Sequence, residues 1–334
     1  VSQGLRYDGN EIKDFSNPYL VVGEVGKVYV YDDVKEIFVL QGDSNVSLVT
    51  KSCEMLKTNS TTFGTLVATS SNTVINIGYS SANIKIVVDY SSYASSTSRT
   101  IGGLVGSAKG ELHNIVSKVD MNIDVKENEK VNSMNIGGVA GSMLGRMRDV
   151  YVSERTIEVG RESKPIRTID NTSAIYVGGI IGSADSYLAN QGDEGSRVGS
   201  AEAIFAQDIN IKVYLLGTTY VGGAIALSTF NIPNAQIKQS KKPTTIYSIQ
   251  LHCLTTNEST DDLYVMGGVV ATSSAQYISQ VYSNISLEFT GSCFNTAIIG
   301  GIAGYLTSKT SYSFDLTKSN CGKDLTASTD CPEA

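Results

Sequence analysis

The stretch Ile101-Gly102-Gly103-Leu104-Val105-Gly106 decides the fold, because its apolar-Gly-Gly-apolar-apolar-small pattern returns along the chain. Six full copies are present, and residues 63–68 form a seventh, degenerate copy. The first glycines of successive copies are 38, 35, 41, 44, 45 and 33 residues apart. The chain therefore consists of loosely periodic units of about 39 residues.

The glycines of these copies are predicted to be architectural. Two glycines in succession are costly within a strand, so they indicate a corner, a close backbone approach or a positive φ. The recurrence and the absence of a following helix argue against a nucleotide-binding loop. The glycines predicted to be structural are Gly64, Gly102, Gly103, Gly137, Gly138, Gly178, Gly179, Gly222, Gly223, Gly267, Gly268, Gly300 and Gly301.

The rest of each unit has the pattern of β-strands. Residues 119–125 (VDMNIDV) alternate between apolar and polar side chains, as a half-buried strand does. Three short strands per unit, with no helical stretch, are typical of one coil of a parallel β-helix. We therefore predict an all-β, right-handed parallel β-helix (a β-solenoid) of about seven coils. An antiparallel sandwich is the alternative, but repeated hairpins do not require such a recurrence.

The repeat pattern divides the chain into three parts. Residues 1–60 lie outside it and are predicted to form an N-terminal β-rich cap or assembly segment, since a solenoid must cover its terminal edges. Residues 61–316 carry the repeats, and residues 317–334 form a polar tail. Two polar insertions, 190–201 and 233–245, are predicted to leave the coils as loops.

Charge and hydropathy narrow the choice of partners. The net charge of −7 is the wrong sign for binding nucleic acid or anionic lipid. Apolar runs such as residues 298–303 are far shorter than the roughly 20 residues that span a bilayer. We expect neither nucleic-acid binding nor membrane insertion of this chain.

The five cysteines include no Cys-x-x-Cys motif, which favours disulfides over a metal site. Cys321 with Cys331, and Cys253 with Cys293, are the candidate pairs, which leaves Cys53 over. Buried or unpaired thiols are the alternative.

Five Asn-x-Ser/Thr sequons would allow glycosylation of a secreted chain, although the composition predicts nearly as many by chance. The candidate glycosylation sites are Asn45, Asn59, Asn171, Asn257 and Asn284.

Catalytic patterns are weak. The two histidines, His113 and His252, have no neighbouring acid, serine or cysteine motif, so we predict no catalytic residues, no metal and no cofactor. Asp120 and Asp124 share an outward face about 13 Å apart, and Glu158 of the next coil would stack near Asp124 in the right register. Such carboxylates would suit a polysaccharide-cleaving β-helix, but they also suit a solvated face.

Tyrosines offer a second route to carbohydrate binding, by stacking on sugar rings. The absence of Trp weakens this reading, and tyrosines at strand ends commonly seal a core edge. The candidates are Tyr90, Tyr93, Tyr187, Tyr220 and Tyr264.

The hexad followed by Leu112-His113-Asn114 resembles the GLUG-type repeat of large secreted and cell-surface proteins, over residues 63–310. The chain has serine where that repeat has a later glycine, at Ser117, Ser153 and Ser283. The resemblance implies an extracellular, structural or adhesive protein with β-solenoid repeats, and it supplies no catalytic residues.

Together these features predict a non-enzymatic structural or adhesive protein of the cell surface. It would be the subunit of a filament or appendage that assembles through its terminal edges with itself or with other surface proteins. The alternative is a β-helix protein that binds or cleaves a polysaccharide.

Overall fold

The structure is a computed structural model. It describes residues 98–307 apart from 118, 126–129, 171, 186, 189–196, 241–247, 254–261, 276–277 and 292–295. Before residue 98 it describes 21–22, 28–32, 37–40, 48–49, 56–58, 61–64, 67–76, 80–81 and 86–88.

The described residues form β-strands and no helix, so the prediction of an all-β chain is confirmed. The strands before residue 98 are β1 (Val21–Val22), β2 (Val28–Asp32), β3 (Ile37–Leu40), β4 (Leu48–Val49), β5 (Leu56–Thr58), β6 (Thr62–Gly64), β7 (Val67–Asn76), β8 (Ser80–Ser81) and β9 (Ile86–Val88). The next are β10 (Arg99–Gly102), β11 (Val105–Ser117), β12 (Met121–Ile123), β13 (Lys130–Val131), β14 (Met134–Gly137), β15 (Ala140–Val159), β16 (Ile166–Thr168), β17 (Ala174–Gly178), β18 (Ile181–Asp185) and β19 (Tyr187–Leu188). The last are β20 (Arg197–Val198), β21 (Ser200–Leu216), β22 (Thr218–Gly222), β23 (Ile225–Ser228), β24 (Ala235–Lys238), β25 (Ser248–Cys253), β26 (Leu263–Gly267), β27 (Val270–Ser273), β28 (Val281–Ser283), β29 (Ser286–Gly291), β30 (Thr296–Gly300) and β31 (Ala303–Leu306).

Successive repeats pair in parallel. The strands that precede the glycine pairs form one seven-stranded sheet in the order β6-β10-β14-β17-β22-β26-β30, each ending at the first glycine of its repeat. The register aligns these glycines from Gly64 through Gly102 to Gly300. Each hexad therefore lies directly over the hexad of the preceding repeat.

The glycine pairs mark a very close approach of backbone to backbone. A Cβ on Gly102 would lie 1.7 Å from the carbonyl oxygen of Val105, three residues ahead. A Cβ on Gly103 would lie 2.1 Å from the carbonyl oxygen of Gly138 in the next repeat. None of the described pairs has a positive φ. Of the three reasons expected for these glycines, the structure shows close packing at a corner.

A second set of parallel ladders follows the glycine pairs and joins β7, β11, β15, β18, β23, β27 and β31. The 20-residue strand β15 bends at residues with left-handed φ, including Asp149 and Glu154. In the next repeat Ala203 and Asp208 have left-handed φ at the same positions of the register. The corners therefore recur with the repeat, as the strands do.

The last run of each repeat carries the predicted alternation. β12, the end of β15, the end of β21, β25 and β29 pair in parallel. Met121 and Ile123 are buried at 1% and 0% exposure, whereas Asp120, Asn122 and Asp124 are half-buried. The buried apolar side chains from Phe63 to Ile285 join in one core cluster.

Both predicted loops are wrong in part. Within 190–201, Ser200 and Ala201 belong to β21 and pair in parallel with β15, and β20 pairs antiparallel with β19. β24 pairs in parallel with β21 and β28, so residues 235–238 belong to the ladder and not to a loop over 233–245. Ala235 aligns with Ile204, which places Asn234 at the same corner as Ala203. Pro233 and Asn234 therefore mark a corner, where such residues are common.

The N-terminal segment contains two kinds of pairing. β1, β2 and β3 form an antiparallel sheet. β4 and β5 pair in parallel with β8 and β9, so parallel pairing reaches into residues 1–60. Residues 317–334, predicted to be a polar tail, lie outside the described residues.

Candidate functional site

The three outward carboxylates are each bonded to a neighbouring repeat. Asp120 accepts a hydrogen bond from the backbone N–H of Thr156 at 2.6 Å. Glu158 accepts one from the side-chain amide of Asn122 at 3.2 Å, and the register places these two residues opposite each other. The expected position of Glu158 beside Asp124 is therefore wrong.

Asp124 is held by cations instead of facing another acid. It forms ion pairs with Arg161 and with Lys164, the latter at 3.4 Å. The part of the chain that the structure describes contains no group of three or more histidine, cysteine, aspartate or glutamate side chains able to hold a metal ion. The carboxylates thus tie adjacent repeats together.

The two histidines lie in separate surroundings. His113 is 3% exposed, and burial lowers its pKa. The ring of His252 stacks on Tyr214 with 4.4 Å between ring centroids, and its Nδ1 contacts the hydroxyl of Thr290. Burial lowers the pKa of His252, against the opposing charges of Glu162 and Glu288. The two rings belong to ladders and not to a common site.

Neither of the two candidate tyrosines whose side chains the structure describes offers a free platform. Tyr264 is 2% exposed, so its ring is unavailable to a sugar. Tyr220 stacks on Tyr176 with ring centroids 5.0 Å apart and planes 12° apart, so one ring covers the other. Tyr90, Tyr93 and the side chain of Tyr187 lie outside the described residues.

Of the five cysteines, the structure describes Cys253, which is buried at the end of β25. Cys53, Cys293, Cys321 and Cys331 lie outside the described residues, so both pairings stay predictions.

Among the sequons, only Asn284 falls within the described residues. Its side-chain oxygen accepts a hydrogen bond from the backbone N–H of Gln239 at 2.7 Å. The other four, Asn45, Asn59, Asn171 and Asn257, lie outside, and their glycosylation stays a prediction.

One buried cation, Arg155, was not predicted from the sequence. Arg155 is 1% exposed and occupies a core position of β15 whose register partner in the next repeat is Ile209. Its Nη1 donates to the carbonyl oxygen of Gly138 at 2.9 Å, while its Nε and Nη2 have no hydrogen-bond partner among the described residues. The sequence did indicate this inward position, because Arg155, Ile157 and Val159 are spaced two residues apart and so share one face of the strand.

The two ends of the seven-stranded sheet differ in burial. One column of side chains runs through the sheet from Phe63 in β6 to Ile299 in β30. Phe63 is 1% exposed, and the five intervening side chains are 0–1% exposed, whereas Ile299 is 48% exposed. The column is therefore covered at its first strand and open at its last.

The backbone at that open end is less crowded than in the earlier repeats. The second glycines of four earlier repeats each face a carbonyl oxygen of the next repeat at 2.0–2.1 Å from an added Cβ. A Cβ on Gly301 would meet nothing within 4 Å. β30 pairs with β26 on one side, and no described strand pairs with its other side.

The open end is also apolar. Tyr305 in β31 is 46% exposed, and Leu287, Phe289 and Ile302 are only partly buried against the core. We define the terminal edge as β29, β30 and β31, which carry the exposed end of the core. The terminal edge is the candidate functional site, because exposed apolar surface combined with an unpaired strand favours association.

Comparisons with family models, with curated proteins and with solved structures find no match to the chain. Within the described residues, no helix has the length and apolar character needed to cross a membrane.

Proposed function

We propose that the chain is a right-handed parallel β-helix of about seven coils that serves as an extracellular structural or adhesive protein of the cell surface. The parallel ladders between successive repeats and the recurring corners support the coil. The likeness to GLUG-type repeats supports the surface location. Stacked coils with one continuous core would give a stiff body, which suits a structural role.

The terminal edge carries the proposal. An edge strand with unpaired backbone groups is a template for another strand, and proteins that remain single usually protect such an edge with charge, proline or a covering segment. β30 reads Thr-Ala-Ile-Ile-Gly, which contains neither a charge nor a proline. The proposed activity of the edge is association by strand addition, with another copy or another surface protein.

We do not propose the polysaccharide-cleaving alternative. Cleavage needs carboxylates that are free to act on the substrate. Asp120, Asp124 and Glu158 are instead bonded to the neighbouring repeats. The stacked and buried tyrosines likewise offer no specific support for glycan binding.

Amide hydrogen exchange at the terminal edge tests the proposal. Exchange of β29, β30 and β31 should slow when the full chain is concentrated about a hundredfold, because partner strands protect the edge amides. The variant Ile299→Lys should lose this concentration dependence, because a lysine would be buried without a partner charge. Tyr151→Lys is the matched control, since Tyr151 is also exposed, at 37%, but lies in β15 away from the edge. Exchange independent of concentration in the wild-type chain would contradict the proposal.

A further inference from the structure

We infer that the partner of the terminal edge is the same edge of a second copy, with β30 paired antiparallel to its own counterpart across a two-fold axis. This inference rests on the proposed association through the edge, and it adds the partner and the symmetry. A pair of this kind is closed, so assembly stops at two chains.

The difference between the two ends argues against head-to-tail filaments. In a head-to-tail contact the last strand of one copy meets the first strand of the next, so both ends must be accessible. Phe63, at the first strand of the column, is 1% exposed, and its neighbour Gly64 is also buried. Only Ile299, at the other end of the same column, is open.

The geometry of β30 allows self-pairing. A two-fold axis normal to the seven-stranded sheet makes the two copies of β30 antiparallel and continues the sheet from one chain into the other. The same axis keeps both copies of Ile299 on the core side, where their apolar surfaces meet. An axis along the strand would turn one Ile299 to the opposite face, which disfavours that arrangement.

The sequence of β30 suits pairing with itself. In a two-fold contact the residue at the axis faces its own copy and its neighbours face residues of the same short strand, so a charged residue there would meet a like charge at close range. Thr296, Ala297, Ile298, Ile299 and Gly300 carry no charge. Three of the five are β-branched residues, which favour strands. A second copy therefore brings no charged side chain of β30 against its own counterpart.

Charge variants at Ile299 test both the partner and the symmetry. The mass of the wild-type chain, followed by light scattering, should rise with concentration and level off at twice 35.6 kDa. Ile299→Lys alone and Ile299→Glu alone should each weaken pairing by about tenfold or more, because like charges face each other across the axis. An equimolar mixture of the two variants should restore pairing, because the lysine of one chain then faces the glutamate of the other. The corresponding Tyr151→Lys and Tyr151→Glu variants should pair as the wild type does, separately and mixed.

The other outcomes contradict either the two-fold pair alone or the association through the edge as well. Species larger than two chains, or single variants that the mixture fails to rescue, would overturn the two-fold pair and leave association through the edge intact. A mass of one chain at every concentration, with edge amides already protected, would mean that the chain's own residues cover the edge. That result would overturn the inference and the proposed association together.

Discussion

The Nη1 of Arg155 donates a hydrogen bond of 2.9 Å to the carbonyl oxygen of Gly138 inside the apolar core. A Cβ on Gly138 would lie 2.2 Å from the guanidinium, so the glycine provides the room that the arginine occupies. The next repeat has Ile209 at the register position of Arg155, and Val119 stands at the equivalent position of the preceding repeat. A cation thus interrupts a column of aliphatic side chains.

Replacing this arginine by an apolar side chain should stabilise the protein. A buried charge with unmet hydrogen bonds costs free energy, and removing such a group in favour of a well-packed apolar residue is often stabilising by about 1–4 kcal/mol. We expect Arg155→Met to raise the free energy of unfolding in urea by an amount in this range. Arg148→Met is the control, since Arg148 lies in the same strand with its side chain 48% exposed and should change stability little. A loss of stability in Arg155→Met would show that the guanidinium is compensated.

The effect of Arg155 should depend on pH. Burial lowers its pKa from the usual arginine value to about 9, and the charge of Asp120 opposes this shift. Between these two pKa values the unfolded chain binds more protons than the folded chain, so the unfolding free energy rises with pH over that interval. The advantage of Arg155→Met over the wild type should therefore be largest below pH 9 and should decrease above it. Urea unfolding of both proteins at a series of pH values from 8 to 11 measures the difference, and a constant difference would contradict the shift.

Protonation linked to His252 should lower the free energy of unfolding in mild acid. Burial lowers its pKa below 6.5, while Glu162 and Glu288 raise it and Lys212 lowers it. The unfolded chain therefore gains its proton first as the pH falls through 6.5, which removes stability from the folded state. The wild type should lose more stability than His252→Gln between pH 7 and pH 5. His113 is present in both proteins, so its own lowered pKa cancels in the comparison.

Alanine at the second glycine of a repeat should be tolerated only at the terminal edge. A Cβ on Gly268 would lie 2.0 Å from the carbonyl oxygen of Gly301, whereas a Cβ on Gly301 meets nothing within 4 Å. We expect Gly268→Ala to cost at least about 1–3 kcal/mol, as overpacking of a rigid core does. Gly301→Ala, measured at concentrations at which the chain is a monomer, should leave the free energy of unfolding unchanged. Equal losses of thermal stability in the two alanine variants would mean that residues outside the described part cover Gly301.

Salt should strengthen pairing through the terminal edge. Each chain has a net charge of −7, so two copies repel at long range, and added salt screens this repulsion. The apolar contact around Ile299 does not depend on such charges. The dissociation constant of the pair, measured by sedimentation, should therefore decrease when sodium chloride is raised from about 0.02 M to about 0.3 M. Screening grows strongly over this range. Weaker pairing at high salt would instead indicate an edge held by ion pairs.

The sequence alone determined the class of the fold and the repeat that builds it. The recurring hexad predicted where each repeat begins, and the alternation in residues 119–125 predicted which side chains turn inward. These features are local, since the period of a strand and the entropy cost of glycine are properties of neighbouring residues. The parallel pairing of Gly64, Gly102 and the later first glycines agrees with them.

Only the tertiary structure decided the register and the ends. Glu158 faces Asn122 and not Asp124, because a shift of the register by two residues changes every partner while keeping the inward face unchanged. Residues 235–238 pair in parallel with β21, although polar residues surround them in the sequence. This pairing between distant parts of the chain places them in the ladder. Ile299 and Phe63 hold equivalent places in their repeats, and what lies beyond each in space makes one exposed and the other buried. Exposure depends on residues far apart in the chain, so no local pattern encodes it.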